Sequence, residues 1–546
     1  MMFDLTRESW IPCLMMTGET IDLGPEEVFE RAHEIVEVSG ETPPITAALH
    51  RLLITIARRS MGGPEEPEEK VELLKGGRFG KEPKAYLKKT RDRFDLLHPT
   101  NPFYQIGGLT TGKMKGETYV QHEPHPINHI MIGRPSGHNP ALFDHTTDAD
   151  RIRIPLAEAA RHLVAYQSYH SGFGLTSSYK TPLDDVLRNN KSYTDSPLTR
   201  GYCIFLRGRN LFETIILNLP AGKIVEGDVP SWELDQKELI EMAVRAASGG
   251  LINMGEMDLF TWPTRFVRIV SDGEMAAEVF VTNGVHLNKA VEDPMKAYRS
   301  TPLGMRPCSP SMDRAMWRDL GPLLVESDVD DPKPKYRNPV IIGHFRTLGR
   351  LIEELPRDIR ISISAIGIIM ESGKASSIIE WREEKMPFPV EVLRDEGTMK
   401  VVLDAIRLAD DASQKLRSII MTVAKRRLGK TASAEAMWKA GGSSRVFWTM
   451  LDSRFATFAT LISKIETDED EKEAKEYWWL MVAEAIEKAY GSFVNSIGND
   501  TRTLMAIGSS KSWIDNVVMN IRRDGKMATD KGGLTHDQGS DEGVEG

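Results

Sequence analysis

The most constraining feature of this sequence is a series of four amphipathic segments that begins near residue 398. In each segment apolar residues recur every three or four positions, which is the spacing of one face of an α-helix. The segments are separated by the polar breaks GGSS, TDEDE and GND, so we predict an antiparallel four-helix bundle over 391–522. The apolar positions that carry this prediction are Val402, Ile406, Ala409, Leu416, Ile420 and Val423; Phe447, Leu451, Phe455, Phe458, Ile462 and Ile465; Trp478, Val482, Ala485, Ala489 and Phe493; and Leu504, Ile507, Ile514, Val517 and Ile521.

The two ends of the chain look different from the bundle. Residues 523–546 are polar and lack apolar periodicity, which predicts a disordered tail. Residues 1–390 mix short strand-like and helix-like patterns, which predicts one large domain containing both kinds of element. The predicted fold class is therefore α+β: a large mixed α/β N-terminal domain followed by the C-terminal antiparallel four-helix bundle.

Several elements can be placed within the N-terminal domain. Residues 45–61, ITAALHRLLITIARRSM, have helical spacing, with Arg51, Arg58 and Arg59 off the apolar face, and two glycines and a proline follow. NPFYQIGG, which begins at residue 101, predicts a turn followed by a strand. The segments for which we predict strands are YCIFLRG, ETIILNLP, FVRIV and EVFVTN, with a helix between them over 232–247.

The charge balance limits how this chain can meet nucleic acid. It has 69 Lys and Arg against 79 Asp and Glu, a net charge of −10. A free-standing, high-affinity nucleic-acid binder usually carries a positive field, because neutralisation of phosphates dominates its affinity. Any nucleic-acid role must therefore come from local basic patches, or from a partner that supplies most of the contacts.

Cysteine usage and the apolar runs indicate a soluble cytoplasmic protein. Cys13, Cys203 and Cys308 are far apart and no CxxC occurs, which argues against a disulfide framework or a cysteine-rich zinc site. The start, MMFDLTRESWIPC, lacks the pattern of a secretory signal. The most apolar run, ISISAIGIIM, is half the length that a membrane helix needs, so we expect no membrane partner.

A histidine-rich loop over 122–148 is the strongest candidate for catalysis. HxxH with a later histidine can bind zinc, and Asp144 and Asp148 lie in the same stretch. However, HEPHP contains two prolines, so the helix that would align two imidazoles cannot form. Two interpretations stay open: a polar loop with surface histidines, and a metal-dependent hydrolase, which stoichiometric bound metal would favour. The histidines are His122, His125, His129, His138 and His145.

Other catalytic and cofactor motifs are absent from the sequence. Neither GxxxxGK[ST] nor GxSxG occurs, and SGFG at 171–174 lacks the strand-then-helix setting of a dinucleotide turn. We therefore expect no enzyme activity, no cofactor, no catalytic residues and no metal site.

Two further patterns admit a nucleic-acid interpretation. ESGKASSIIEW follows a strong strand and precedes a helical run, and Gly373 beside small residues would let Lys374 project from a slim turn. Such a tip could enter a minor groove, which is only about 6 Å wide; the alternative is an ordinary strand–helix turn. The cluster KRRLGK, from Lys425, ends the first bundle helix, where cations complement the helix dipole or contact phosphate. The Trp478-Trp479 pair is interpreted as bundle core, with a base-stacking platform as the alternative.

Taken together, the segments resemble one family. LTRESWIPC, NPFYQ, NPALFDH, GFG, ESGKAS and a C-terminal four-helix bundle occur in that order. The chain resembles the CasA family, the large subunits of the type I-E CRISPR surveillance complex Cascade, over nearly its whole length to about residue 522. A purely architectural helical adaptor is a further alternative.

The resemblance implies a non-enzymatic subunit in prokaryotic antiviral defence. In that family the N-terminal domain holds the 5′ handle of the guide RNA and recognises the protospacer-adjacent motif (PAM) in target double-stranded DNA. It then helps to start strand separation and R-loop formation, and recruits the helicase-nuclease after target binding. The bundle contacts the displaced strand and the small subunits, and the backbone subunits are further partners.

The resemblance also assigns residues. Asn139 and Phe143 of NPALFDH would bind the guide RNA, with the aromatic ring packing against the 5′ handle. Some members carry Asn-Gln-Ala at the wedge beneath the PAM, so Lys374 either wedges the duplex differently or grips a phosphate. Some members also hold zinc on two CxxC pairs, which this chain lacks. The implied PAM and DNA contacts are the glycine loop Gly172, Phe173, Gly174 and Leu175, the lysine Lys296 in DPMKAYRS, and the wedge Gly373, Lys374 and Ala375.

Overall fold

The computed structural model divides the chain into two compact units, Met1–Arg394 and Asp395–Gly546. Each unit has its own buried core. The residues that the structure describes are 2–133, 151–171, 178–181, 194–312, 314–325, 334–350, 361–370, 378–387, 396–429, 431–440, 442–498 and 500–524.

The first unit combines helices and strands. Its helices are α1 (Pro25–Arg31), α2 (Pro43–Met61), α3 (Glu69–Gly76), α4 (Glu82–Lys89), α5 (Leu156–Tyr169), α6 (Leu211–Asn218), α7 (Gln236–Ala246), α8 (Glu256–Phe260), α9 (Leu320–Leu324) and α10 (Val340–Arg350). Its strands are β1 (Ile11–Met15), β2 (Thr20–Leu23), β3 (Ile35–Val38), β4 (Thr110–Lys115), β5 (Thr118–Gln121), β6 (His125–Pro126), β7 (Ile154–Pro155), β8 (Ser178–Lys180), β9 (Cys203–Arg207), β10 (Arg265–Ser271), β11 (Met275–Asn283), β12 (Tyr298–Thr301), β13 (Gly304–Pro307), β14 (Tyr336–Arg337), β15 (Ser362–Met370) and β16 (Ile378–Pro387).

The described strands form several small antiparallel sheets instead of one large sheet. Because each sheet has few strands, it must bury one face against helices to be stable. The sheet that matters most for the site is β16–β15–β9, in which a long strand pair joins a strand from much earlier in the chain. The strand orders are β2–β1–β3, β5–β4–β8, β10–β11–β6 with β7 also on β11, β13–β12–β14, and β16–β15–β9.

Helix α2 forms the centre of the first unit and confirms the prediction for residues 45–61. It ends at Gly62, whose φ of 71° is a left-handed cap conformation that favours glycine. Burial extends beyond the predicted apolar face, because Arg51 and Arg58 are buried as well. Arg51 is paired with Asp293 at 2.6 Å, which compensates for the cost of burying its charge.

The strand predicted over ETIILNLP is wrong, because its first six residues, ETIILN, lie in helix α6. The side chain of Asn210 accepts a hydrogen bond from the Glu213 amide and caps the first turn. At the other end of the helix, the Asn218 side chain accepts a hydrogen bond from the Leu206 amide and donates one to the Leu206 carbonyl oxygen. These side-chain contacts and burial of the whole helix outweigh the strand preference of its β-branched residues.

The strand predicted within NPFYQIGG is also wrong, because residues 101–108 form turns. Tyr104 has a φ of 57°, which is incompatible with an extended strand. The Gln105 side chain donates to the carbonyl oxygen of Leu96 at 2.9 Å. This backbone acceptor is therefore satisfied by a side chain and not by the backbone of a neighbouring strand. The aromatic character of the segment reflects burial, since Phe103 is 1% exposed.

A third correction concerns the residues after Lys374. The predicted helical run is strand β16, which pairs antiparallel with β15 from Ser362↔Pro387 to Met370↔Ile378. Pairing with the preceding strand therefore decides the structure of this segment, because its own charged sequence does not favour a strand.

The second unit is a bundle of long antiparallel helices, as predicted. Residues Thr431–Ala440 add one short helix that the sequence pattern did not indicate. The last helix ends at Asp524, two residues inside the predicted tail, and the rest of that tail lies outside the described residues. The helices are α11 (Glu396–Leu428), α12 (Thr431–Ala440), α13 (Ser443–Ile462), α14 (Asp468–Ser496) and α15 (Thr501–Asp524).

Of the predicted core pair, Trp479 is half-buried, whereas Trp478 is part of the bundle core, as predicted. It is 1% exposed, and its indole nitrogen donates to the carbonyl oxygen of Ala405 at 2.8 Å. Phe455 and Phe458 contact its ring with centroid distances of 5.9 and 4.8 Å. These contacts join the first, third and fourth helices of the unit. None of the described helices has the length and apolarity needed to cross a membrane.

Candidate nucleic-acid interface

Ten residues were predicted to contact nucleic acid, and the structure describes Lys296 among them. The other nine lie outside the described residues, within 134–150, 172–177 and 371–377. These nine are Asn139, Phe143, Gly172, Phe173, Gly174, Leu175, Gly373, Lys374 and Ala375.

The described residues that border two of these segments meet at one end of the β15–β16 pair. Met370 and Ile378, which flank 371–377, are cross-strand partners. Gly133, which precedes 134–150, packs against Trp381 of β16, where a Cβ would lie 2.5 Å from the indole ring. Gly133 also has a φ of 88°, so both its conformation and its contact require glycine. The residue that precedes the predicted guide segment, 134–150, thus lies against the strand that follows the predicted wedge segment, 371–377.

A buried arginine fixes both ends of the stretch that contains the predicted glycine loop. Arg265 of β10 is 2% exposed, and its Nη2 donates to the carbonyl oxygens of Ser171 at 2.8 Å and Thr194 at 3.2 Å. Its Nε donates to Nδ1 of His170 at 3.1 Å. Burial, with the Arg265 charge adding to it, holds the pKa of His170 well below its usual range. A neutral imidazole therefore accepts from the arginine.

Lys296 is buried and holds the segment that follows. It is 4% exposed, and its Nζ donates to the carbonyl oxygens of Pro197 and Arg200. Burial lowers the pKa of this ammonium to about 8. An ammonium has three N–H donors, so two are occupied by the backbone of the segment after the predicted glycine loop. Direct contact between Lys296 and a PAM stays a prediction, and the observed contacts are those of a positioning residue.

The turn that carries this lysine is itself held by a buried carboxylate. Asp293 accepts from the Met295 amide at 2.9 Å and from Nη1 of Arg51 at 2.6 Å. Its own amide donates to the hydroxyl of Tyr298 at 2.7 Å. Helix α2 is thereby tied to the DPMK turn through the ion pair of Arg51 with Asp293.

The histidine-rich loop does not show a metal site in the part that the structure describes. The rings of His125 and His129 stack with centroids 4.4 Å apart. Among the described residues, no group of three or more His, Cys, Asp or Glu side chains is arranged to hold a metal ion. The remaining members of the predicted set, His138, His145, Asp144 and Asp148, lie outside the described residues, so the hydrolase interpretation stays a prediction.

In the second unit, the basic cluster at the end of α11 joins two helices. The Arg426 guanidinium lies 5.0 Å from the ring centroid of Trp513 and donates to the Ser509 hydroxyl at 2.5 Å. Arg502 donates to the carbonyl oxygen of Arg426 at 3.1 Å, which satisfies an end-of-helix acceptor. These contacts support a packing role for Arg426, while Lys430 lies outside the described residues.

Comparison with known proteins identifies the family. Residues 4–489 match the model of the CRISPR-associated protein Cse1 family. The chain belongs to this family. The curated CasA/Cse1 protein of Thermus thermophilus is 28% identical to it over 522 residues, which cover 93% of this chain and 96% of that protein. The resemblance to the CasA family that the sequence motifs indicated is thus confirmed.

Solved Cse1 structures share the fold of this chain. A Thermus thermophilus CasA (Cse1) structure has a TM-score of 0.74 at 25% identity, covering 95% of this chain and 99% of that one. Cse1 from Acidimicrobium ferrooxidans has a TM-score of 0.73 at 20% identity, covering 96% and 98%. A chain of a CRISPR RNA-guided surveillance complex has a TM-score of 0.69 at 20% identity, covering 94% and 99%. The likeness spans both units and confirms the predicted α+β fold class.

Sequence reasoning missed Arg265 and Arg51, which hold this region together. Both are single arginines in ordinary strand and helix patterns, and their partners are distant in sequence: Arg51 binds Asp293, 242 residues away. No local motif marks such residues, because their role depends on which elements meet in the fold.

Proposed function

We propose that this Cse1-family chain is the large, non-catalytic subunit of an RNA-guided CRISPR surveillance complex. It recognises the PAM in double-stranded DNA, helps to start strand separation and R-loop formation, and recruits the helicase-nuclease after target binding. The observation that carries the proposal is the family match over residues 4–489. The shared fold with a chain of a solved surveillance complex supports it.

Within this proposal each predicted segment has a role. Asn139 and Phe143 hold the 5′ handle of the guide RNA, while Gly172–Leu175 and Gly373–Ala375 meet the PAM duplex. Lys296 positions the backbone behind the glycine loop, because its Nζ is bonded to carbonyls there. Two observations support these roles. Gly133, which precedes the guide segment 134–150, packs against Trp381 of the strand that follows the wedge segment 371–377, and Arg265 binds both sides of the glycine-loop stretch.

The acidic charge of the chain is compatible with this role. When base pairing with a guide supplies target specificity, the protein reads only a short duplex. A chain of net charge −10 then needs little affinity of its own for DNA, and low free affinity limits retention on non-target DNA. We expect the isolated protein to bind duplex DNA weakly and with strong salt dependence.

The deciding experiment measures duplex binding by a guide-loaded complex core that lacks its large subunit, with and without this protein. Duplexes with and without a cognate PAM are compared at one salt concentration. We expect the protein to confer PAM-dependent binding, and Lys374→Ala to weaken that binding by roughly tenfold, the loss of one good contact.

Lys88→Ala, which removes an exposed lysine on α4, is the matched control and should leave binding unchanged. A protein that neither joins the core nor changes its DNA binding contradicts the proposed function. Normal PAM discrimination by Lys374→Ala removes that residue from the site but leaves the subunit assignment in place.

A further inference from the structure

A small sheet includes the strand that follows the predicted glycine loop in the chain. Its strand β8 begins at Ser178, the residue that follows 172–177. β8 pairs with β4 through Gly112↔Ser178 and Thr110↔Lys180, and β5 pairs with the other edge of β4. The β4–β5 pair is therefore attached by backbone hydrogen bonds to the strand into which the glycine loop leads.

The β4–β5 pair is a hairpin with a two-residue loop. Lys115 pairs with Thr118, which leaves Gly116 and Glu117 to make the turn. Gly116 has a φ of 63°, as the first loop position of a type II′ turn requires. This turn matches the twist of the strands, so the hairpin is a defined projection with a fixed register.

Lys113 and Lys115 are the exposed cations of this hairpin. Neither makes an ion pair or a hydrogen bond through its side chain with any residue that the structure describes. Residues 110–121 contain one acidic residue, Glu117, against these two lysines. In a chain of net charge −10, this hairpin is locally positive.

The two lysines share one face of the strand. Residues i and i+2 of a strand point the same way and lie about 7 Å apart. That length corresponds to about two phosphates along one strand of B-DNA, which are spaced about 3.4 Å along the helix axis. On the opposite face the ring of Tyr119 covers Gly112, where a Cβ would lie 2.8 Å from the ring. One face of the hairpin is thus packed and the other presents ammonium groups.

We propose that the β4–β5 hairpin is a further DNA-contacting element, in which Lys113 and Lys115 bind backbone phosphates of the duplex beside the PAM. The inference rests on the proposed function, because it takes 172–177 as the loop that approaches the PAM. Duplex DNA is the occupant that fits, since β8, the strand that follows that loop in the chain, pairs with β4, and the exposed side chains of β4 are cations. Phosphate contacts fix position and add affinity without reading bases.

The test uses the assembled complex with Lys113→Ala/Lys115→Ala in this subunit. Affinity for a PAM duplex with an extended flank is measured over a range of salt concentrations. Each lost phosphate contact reduces the slope of log K against log salt by about 0.9, so the double variant should reduce it by about 1.8. The preference for the cognate PAM should be unchanged, and a duplex that stops at the PAM should bind the variant and the unmodified protein alike.

Lys88→Ala/Lys89→Ala on α4 is the charge-matched control, since both residues are exposed. It should leave the slope unaltered, and Lys113→Arg/Lys115→Arg should retain the original slope. Equal slopes for the hairpin variant and the unmodified protein would overturn the proposal, as would loss of PAM preference.

Weaker assembly onto the guide-loaded core without DNA would also overturn it, because the hairpin would then contact RNA or another subunit. The two inferences fail separately. If the unmodified protein shows no PAM preference, the proposed function fails, while the slopes of the remaining DNA binding still decide whether the hairpin contacts phosphate.

Discussion

Replacing Lys70 with methionine should stabilise the first unit, and the gain should depend on pH. Lys70 lies on α3 and is 0% exposed. Its Nζ donates to the carbonyl oxygen of Leu217 at 3.2 Å. Burial, reinforced by the neighbouring charge of Arg58, lowers the pKa of Lys70 from 10.5 to about 7. Folding must therefore bury an ammonium or release its proton.

The magnitude follows from the shift in pKa. Below pH 7 Lys70 is protonated in both the folded and the unfolded chain. The shift of its pKa from 10.5 to about 7 then lowers the stability of the folded state by about 5 kcal/mol. Between pH 7 and 10.5 the unfolded chain binds more protons than the folded one, so this cost disappears as pH rises. Lys70→Met removes the cost but leaves the Leu217 carbonyl without its partner, a loss of about 1–3 kcal/mol. The net gain below pH 7 is about 2–4 kcal/mol.

The measurement is the free energy of unfolding of the full chain by denaturant titration, followed in the transition of the first unit from pH 6 to 10.5. The difference between Lys70→Met and the unmodified protein should be largest at pH 6 and decrease steadily above pH 7. Lys75→Met removes an exposed lysine of the same helix, paired with Glu72, and is the control with no such pH dependence. A difference that stays constant with pH would refute the reasoning.

Three other substitutions test contacts described above. Arg51→Met leaves Asp293 as a buried unpaired carboxylate, and should lower the free energy of unfolding of the first unit by about 3–5 kcal/mol in a denaturant titration. Gly133→Ala forces a Cβ into the ring of Trp381 and strains the backbone. Calorimetry should show that the free energy of unfolding of the first unit falls by about 1–3 kcal/mol. Unchanged stability would contradict the observed packing. Trp478→Phe removes a buried indole donor. In a denaturant titration the free energy of unfolding of the second unit should fall by about 1–3 kcal/mol, while that of the first unit should be unchanged.

The elements that the sequence predicted well are those whose own pattern decides their structure. The long bundle helices and α2 have apolar periodicity over many turns, and breaks such as Gly62 mark their ends. Segments whose structure depends on contacts with other elements were predicted wrongly. α6 looks like a strand because it is rich in β-branched residues, and β16 looks like a helix until its pairing with β15 is known.

The candidate site shows the same division. Motif order was enough to recognise the family and to nominate Lys296 from its sequence context. Its burial could not be predicted, because the carbonyls that hold Lys296 come from residues 197 and 200, which local spacing does not connect to it. The hydrogen bonds of Arg265 to Ser171 and Thr194 could not be predicted either, since these acceptors lie about 70 to 95 residues away in the sequence.

The pairing of β9 with β15 has a consequence for how the protein is made. Ile204 and Ala365 are partners, so roughly 160 residues must be synthesised after β9 before its neighbour exists. At about 5–20 residues per second this wait lasts roughly 8–32 s, during which β9 has an open edge. Contacts between residues so distant in sequence also slow folding. A nascent chain that stops before β15 therefore lacks the sheet on which the candidate interface is built, so the interface forms late in synthesis.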